Sequence, residues 1–102
     1  MLEKTEEQKF VGWVHGQGGQ CLKLVIDGQR GWPDRTVYLD GHVLHFEFKT
    51  PRGRVRADQV KRINWLNGHG YFAQVVTSCE EAKGWVQWKQ DCEPTSWKLS
   101  IF

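Results

Sequence analysis

The sequence has no long apolar run and too few cysteines for a disulfide framework. No stretch approaches the roughly 20 consecutive apolar residues of a membrane-spanning helix, and the acidic start MLEKTEEQK does not resemble a secretion signal. The three cysteines, Cys21, Cys79 and Cys92, are odd in number and far apart, which argues against disulfides and against a CxxC zinc site. We therefore expect a cytoplasmic protein with free thiols.

A strong charge of either sign is also missing. The formal net charge is +2, which is too small to indicate nucleic-acid binding by itself. The distribution of charge is more informative, because residues 49–62 carry six basic side chains and the single acid Asp58. Five of these residues follow Lys49, beside the predicted site: Arg52, Arg54, Arg56, Lys61 and Arg62.

The length bounds the domain organisation. A chain of 102 residues has room for one hydrophobic core, so we predict a single domain over residues 1–102. We place the core of this domain at about residues 6–78 and a C-terminal extension at residues 79–102.

The stretch GWPDRTVYLDGHVLHFEFK, residues 31–49, predicts a β-hairpin. Asp40-Gly41 separates two runs of β-branched and aromatic residues, which is typical of a tight turn with positive φ. Because side chains alternate along a strand, the second strand has a charged face and an apolar face. The charged face carries His45, Glu47 and Lys49, and the apolar face carries Leu44, Phe46 and Phe48. From this pattern alone, an ordinary solvent-exposed sheet face is equally compatible.

The remaining segments predict helices around a mixed sheet. Helical spacing and capping signals indicate helices at about residues 6–16, 55–67 and 79–89, and further strands at 20–26 and 71–76. The helix between the last two strands predicts a parallel pair. Glu7 shares the side of the first helix that carries Phe10 and Val14, although a first-turn acid favoured by the helix dipole is an alternative. Gln59 lies in line with the apolar stripe of the second helix.

Asp34 and Glu47 are the central pair of the predicted site. Asp34 precedes the Asp40-Gly41 turn by six or seven residues and Glu47 follows it by six, so their Cβ atoms are expected roughly 5 Å apart across the hairpin. Two carboxylates this close need a counter-charge, which Mg²⁺ or Mn²⁺ would supply, with the Phe48 carbonyl as a further ligand. Lys49 could hold an attacking water or stabilise charge on phosphorus. Glu7 and Gln59 would support the site as a further ligand and as an orienting amide.

The ordered motifs resemble the VRR-NUC family of the PD-(D/E)xK nuclease superfamily, over about residues 6–78. The resemblance rests on Glu7, Gly18-Gly19, Lys23, Gly31, Pro33-Asp34-Arg35, Glu47, Lys49, Gly53 and Gln59. It implies an α/β, restriction-endonuclease-like core of order α-β-β-β-α-β, with a mixed sheet flanked by helices and a C-terminal helix added. It also implies that Glu7, Asp34, Glu47, Lys49 and Gln59 are the catalytic residues.

The resemblance further implies a Mg²⁺- or Mn²⁺-dependent DNA endonuclease that selects branched DNA, such as four-way (Holliday) junctions or flaps, and acts as a homodimer. Small stand-alone members are common in phages, which suggests the cytoplasm of a bacterial or phage-infected cell. A catalytically silent DNA-binding module and an RNA-directed nuclease are the alternatives.

Basic and aromatic residues outside the motif core complete the predicted interface. We assign DNA contacts to Lys23, Arg35, Arg52, Arg54, Arg56, Lys61 and Arg62. The tryptophans are expected to serve packing more than base stacking, with Trp65 as a dimer anchor. The run SWKLSIF, residues 96–102, could be an extra strand, a packed tail or a subunit contact.

Overall fold

A computed structural model describes residues 2–92 of the chain, and the side chains of residues 5–92. The elements, in chain order, are α1 (Leu2–Gly16), β1 (Gln20–Lys23), β2 (Arg35–Leu39), β3 (His42–Phe48), α2 (Ala57–Gly68), β4 (Phe72–Val76) and α3 (Cys79–Cys92). This order is the one predicted. The run at residues 96–102 lies outside the described residues. None of the helices formed by residues 2–92 has the length and apolar character that crossing a membrane requires.

The four strands form one mixed sheet in the order β1-β2-β3-β4. The β1–β2 and β2–β3 pairs are antiparallel, and β3–β4 is parallel. The hairpin turn has φ 52° at Asp40 and φ 77° at Gly41, as a tight turn with two left-handed residues requires. The α/β fold, the hairpin and the parallel pair are therefore confirmed.

The core fills the side of the sheet that α1 and α3 cover. The Phe10 ring of α1 lies 5.3 Å from the Phe46 ring and 5.6 Å from the Phe48 ring, so the apolar face of β3 packs on α1. Helix α3 contributes Ala82 and Val86 to the same buried cluster. Within the described part of the segment predicted as an extension, residues 79–92, these side chains pack in the core.

Two element boundaries differ from the predictions for local reasons. Strand β1 ends at Lys23 because the Leu24 N–H makes a last bond to the Asp34 carbonyl, at 2.7 Å, before the chain turns away. Helix α2 begins later than expected because the Arg56 N–H is bonded to the Gln59 side chain, at 3.0 Å, one residue before the helix starts.

The start of α3 follows the predicted capping box. The Glu81 N–H donates to Ser78 Oγ at 3.0 Å. The Glu81 carboxylate accepts from the Thr77 N–H at 2.8 Å, one residue before the Ser78 N–H that the reciprocal bond of a capping box uses. Trp85 and Trp88 lie together one turn apart on this helix, with ring centres 5.7 Å apart.

Thiol reactivity tests this packing. All three cysteines are free, and burial raises the pKa of the Cys21 thiol to about 11. Because the thiolate is the nucleophile, we expect iodoacetamide at pH 8 to modify the exposed Cys92 well before Cys21. Peptide mapping by mass spectrometry over time would measure both rates, with urea-unfolded protein as the control. Equal rates in the native protein would contradict the described packing.

Candidate functional site

Asp34 and Glu47 lie opposite each other at the open end of the hairpin. Arg35 pairs with Phe46 in the β2–β3 register, so Asp34 and Glu47 form the next opposed positions. The Asp34 backbone N–H donates to Glu47 Oε1 at 3.1 Å. The two acids were predicted to face each other across the hairpin, and the register confirms this placement.

Glu47 is an acid held in the interior. Its exposed fraction is 2%, and Lys49 Nζ lies 3.3 Å from Glu47 Oε2. Burial, and next the negative charge of Asp34, raise the pKa of the Glu47 carboxyl, while Lys49 opposes the shift. Added positive charge beside Glu47 would therefore favour its ionised form.

Gln59 connects α2 to Glu47. Its Nε2 donates to Glu47 Oε2 at 3.0 Å, and its Oε1 accepts the Arg56 N–H at 3.0 Å. Both ends of this buried amide are thus occupied, and the bonds fix the rotamer of Glu47. The amide that the sequence predicts to be orienting thus has the Glu47 carboxylate as its direct partner.

Lys49 extends from the end of β3. Its backbone N–H donates to the Val76 carbonyl of the parallel strand β4, at 2.9 Å, so the neighbouring strand fixes the position of the lysine. Its side chain is 19% exposed, and its ammonium group lies beside Glu47. Phe48, whose carbonyl was predicted as a ligand, lies between these two residues at the end of β3.

Gly31 brings the loop before Asp34 against α2. Its φ is 88°, and a Cβ atom at this position would lie 2.5 Å from the Asp58 carbonyl oxygen. Only glycine combines this left-handed backbone with so close an approach. The loop that leads to Asp34 and the start of α2 that carries Gln59 are therefore in close contact.

Glu7 lies apart from the acidic pair and contacts Arg35. Its Oε2 accepts a hydrogen bond from Arg35 Nε at 2.6 Å, and the two side chains are 10% and 13% exposed. Opposed residues share a face of a sheet, so Arg35 lies on the Phe46 face and Glu47 on the other. The structure therefore brings Asp34, Glu47, Lys49 and Gln59 together on one face of the sheet. Glu7 pairs with Arg35 on the opposite face. The predicted roles of Glu7 in catalysis and Arg35 in DNA contact stay predictions.

The other predicted DNA contacts differ in exposure, and Lys23, which pairs with Arg35, lies on the face opposite Glu47. Lys23 is exposed at the end of β1, and Arg52 and Arg54 are exposed in the loop that follows Lys49. Arg56 Nε bonds to Asp58 at 3.1 Å. Arg62 is half-buried and Lys61 is exposed on α2.

His45 shares the Glu47 face but has a partner within the sheet. Its Nδ1 lies 3.0 Å from Thr36 Oγ1, and burial lowers its pKa. Sequence reasoning also missed Arg30, which pairs with Asp58 at 3.6 Å across the loop–helix contact. The sequence contains one hint of this contact: Asp58 lies one helical turn before Lys61 and Arg62, so the three side chains share one side of α2.

The acidic pair fits one class of cation. Within residues 5–92 no group of three or more His, Cys, Asp or Glu side chains could hold a metal ion. A structural zinc site, which needs four nitrogen or sulfur ligands, is therefore a poor fit to the described residues. Mg²⁺ is commonly held by one or two carboxylates together with waters and substrate phosphate, and Asp34 with Glu47 provides the two carboxylates.

Comparisons with known proteins bear on the fold. No protein-family model and no curated protein matches the sequence. A solved structure described as a VRR_NUC domain matches with a TM-score of 0.77 at 21% sequence identity, over 85% of this chain and 96% of the other. The architecture predicted from the ordered motifs is thereby confirmed.

Proposed function

We propose that this chain, which has the fold of a VRR_NUC domain, is a metal-dependent nuclease that hydrolyses DNA phosphodiester bonds. One observation carries the proposal: Glu47, opposite Asp34 on that fold, is contacted by Lys49 at 3.3 Å and by Gln59 at 3.0 Å. Two carboxylates, an ammonium and an orienting amide are the groups that metal-assisted phosphodiester hydrolysis uses.

Asp34 and Glu47, with the Phe48 carbonyl, would hold Mg²⁺ or Mn²⁺. When bound, such a cation polarises a phosphoryl oxygen, lowers the pKa of a bound water and neutralises developing charge. The raised pKa of the Glu47 carboxyl supports this assignment, because the same burial and neighbouring charge that oppose ionisation favour a cation beside it. Gln59 holds Glu47 in one rotamer, so that its free lone pairs keep a constant direction.

Lys49 is the positively charged side chain that the protein itself places beside Glu47. In the proposed reaction its ammonium orients the attacking water and stabilises the negative charge that develops on the phosphoryl oxygens. Water attacks phosphorus directly and the 3′ or 5′ oxygen leaves, so no covalent enzyme intermediate forms. Burial of Glu47 strengthens these electrostatic interactions, since they act in a medium of low dielectric constant.

We infer that the substrate is DNA with a branch, such as a flap or a four-way junction, and that a homodimer cuts it. The exposed Arg52 and Arg54, directly beyond Lys49, support phosphate contacts beside the site. A two-fold pair would present two sites to opposed strands. A monomeric mass at micromolar concentration, measured by analytical ultracentrifugation, would refute the dimer without affecting the nuclease.

The assay uses end-labelled single-stranded, duplex, flap and four-way-junction DNA, and RNA of matched sequence, each with Mg²⁺, Mn²⁺ or EDTA. The proposal predicts metal-dependent cutting of DNA that is strongest on the branched substrates. Tight DNA binding with no cutting under either metal would indicate a silent binding module. Preferential cutting of RNA would indicate the RNA-directed alternative.

Gln59→Leu tests the orienting amide. The variant keeps the approximate side-chain volume but removes both hydrogen bonds, so Glu47 loses its fixed rotamer. We expect cleavage to fall about 10- to 100-fold, as is typical when a partner that orients a metal ligand is lost. Gln87→Leu, an exposed glutamine on α3, is the matched control. Unchanged cleavage by a folded Gln59→Leu protein would show that the amide is structural only.

A further inference from the structure

Helix α2 carries a second stripe on its outer side, separate from the buried stripe that holds Gln59. The residues of this outer stripe are Asp58, Lys61, Arg62 and Trp65. Their spacing of three, four and seven places them along one side of the helix. Together with Arg30 from the loop before Asp34, they line an open cavity of about 280 Å³, called the α2 pocket below.

The α2 pocket carries an excess of positive charge. Its one acid, Asp58, is already satisfied: its carboxylate accepts from Arg56 Nε at 3.1 Å and from the Gln59 N–H at 2.9 Å, and lies 3.6 Å from Arg30 Nε. Lys61 and Arg62 add two cations to this wall. Since the acid is neutralised within the fold, the pocket favours an anion.

The position of one of the cations, Arg62, is partly fixed. The Arg62 guanidinium lies 4.5 Å from the Trp32 ring centre, and its Nη2 approaches the Arg30 carbonyl oxygen at 3.4 Å. A stacked guanidinium keeps N–H groups at its edge available to phosphate oxygens. The loop and α2 therefore present donors from both sides of the pocket.

Trp65 adds a flat aromatic surface to this anion site. It is 49% exposed, although the His69 ring stacks on it at 4.3 Å and the Tyr71 ring lies 6.5 Å away. His69 Nδ1 is itself held 2.8 Å from the Trp65 carbonyl oxygen. A large ring held in place by neighbours loses little conformational entropy on binding, and such rings are the stacking platforms for unpaired bases.

We propose that the α2 pocket binds one unpaired nucleotide of a DNA strand, with its base on Trp65 and its phosphate on Arg30, Lys61 and Arg62. A volume of about 280 Å³ is near the lower end of small-ligand pockets and suits a single nucleotide more than a duplex. The pocket adjoins the candidate active site, since Asp58 directly precedes Gln59. The proposal rests on the proposed function and deepens it: the substrate carries single-stranded character beside the cut.

Binding of labelled oligo-dT 12-mers in EDTA, followed by fluorescence anisotropy, tests the pocket without any cleavage. We expect Trp65→Leu to raise Kd about 5- to 100-fold and Trp65→Phe to retain most of the affinity, because a phenyl ring still stacks. Trp88→Leu, whose parent is 50% exposed, is the matched control and should leave Kd unchanged. Lys61→Ala should reduce the slope of log K against log salt by about 0.7.

An abasic 12-mer separates stacking from phosphate contact. Wild type should bind it more weakly than oligo-dT by the factor that Trp65→Leu costs, and Trp65→Leu should bind both equally. Wild-type Kd values for Trp65→Leu and Lys61→Ala would overturn the proposal. So would a Trp65→Leu variant that changes only the oligomeric mass, which would make Trp65 the predicted dimer anchor.

The two proposals fail in different ways. If the protein never cuts DNA but Trp65→Leu weakens oligo-dT binding, the nuclease proposal is refuted and the pocket proposal stands. If the protein cuts DNA but Trp65→Leu binds oligo-dT as tightly as wild type does, the nuclease proposal stands and the pocket proposal is refuted.

Discussion

Replacement of Glu47 by glutamine is expected to lower metal-dependent DNA cleavage by about 10³-fold, the loss that follows removal of one preorganised charge-stabilising group. Glutamine has nearly the shape of glutamate, so the contact from Gln59 can persist. The negative charge that would hold the cation, and that pairs with Lys49 Nζ at 3.3 Å, is lost. Initial rates on the flap or junction substrate, at saturating Mg²⁺ and Mn²⁺, measure the effect.

The folded state and DNA affinity of this variant should change much less than its activity. Glutamine has one oxygen, so it cannot accept from both the Asp34 N–H and Gln59 as Glu47 does, and one of these bonds is lost. Because burial raises the pKa of the Glu47 carboxyl, the neutral amide avoids the cost of burying a charge, which offsets that loss, and no large loss of stability is expected. Glu80→Gln, an acid with an 83% exposed side chain on α3, is the control and should cleave like wild type. Cleavage by Glu47→Gln within tenfold of wild type would refute the metal site described above.

Local signals made the hairpin predictable. The Asp40-Gly41 turn fixes the register, and the register alone places Asp34 opposite Glu47. The alternation of side chains then assigns Lys49 to the Glu47 face. These features depend on neighbours within the hairpin, and so they can be inferred from sequence.

Contacts between distant segments could not be inferred in the same way. Glu7 was correctly placed on the apolar side of its helix, yet its partner Arg35 lies 28 residues away and shares the Phe46 face. Sequence spacing gives the side of a helix but not its rotation against a sheet. For the same reason the contact of Arg30 with Asp58 was missed, because it forms only when the loop before Asp34 packs against α2.

The Glu7–Arg35 pair is expected to have the largest effect on stability. Both side chains are nearly buried and joined at 2.6 Å, so removal of either one leaves an uncompensated charge in the interior. We expect Arg35→Met to lower the free energy of unfolding by about 3–5 kcal/mol, and Glu7→Gln to act in the same direction. Urea unfolding at fixed pH measures both. Lys23→Met is the matched control, because this exposed cation pairs with Arg35 in the β1–β2 register and should change stability by less than about 0.5 kcal/mol.

The double variant Glu7→Gln, Arg35→Met separates the two possible roles of Glu7. It should lose much less stability than the sum of the single variants, since no unpaired charge remains. If Glu7 acts only by holding β2, and with it the adjacent Asp34, cleavage should recover together with stability. If Glu7 takes part in the chemistry, as the family resemblance implies, stability should recover while cleavage stays low. Because the pair lies on the face opposite Glu47, we expect the first result. Additive losses of stability would contradict the pairing itself.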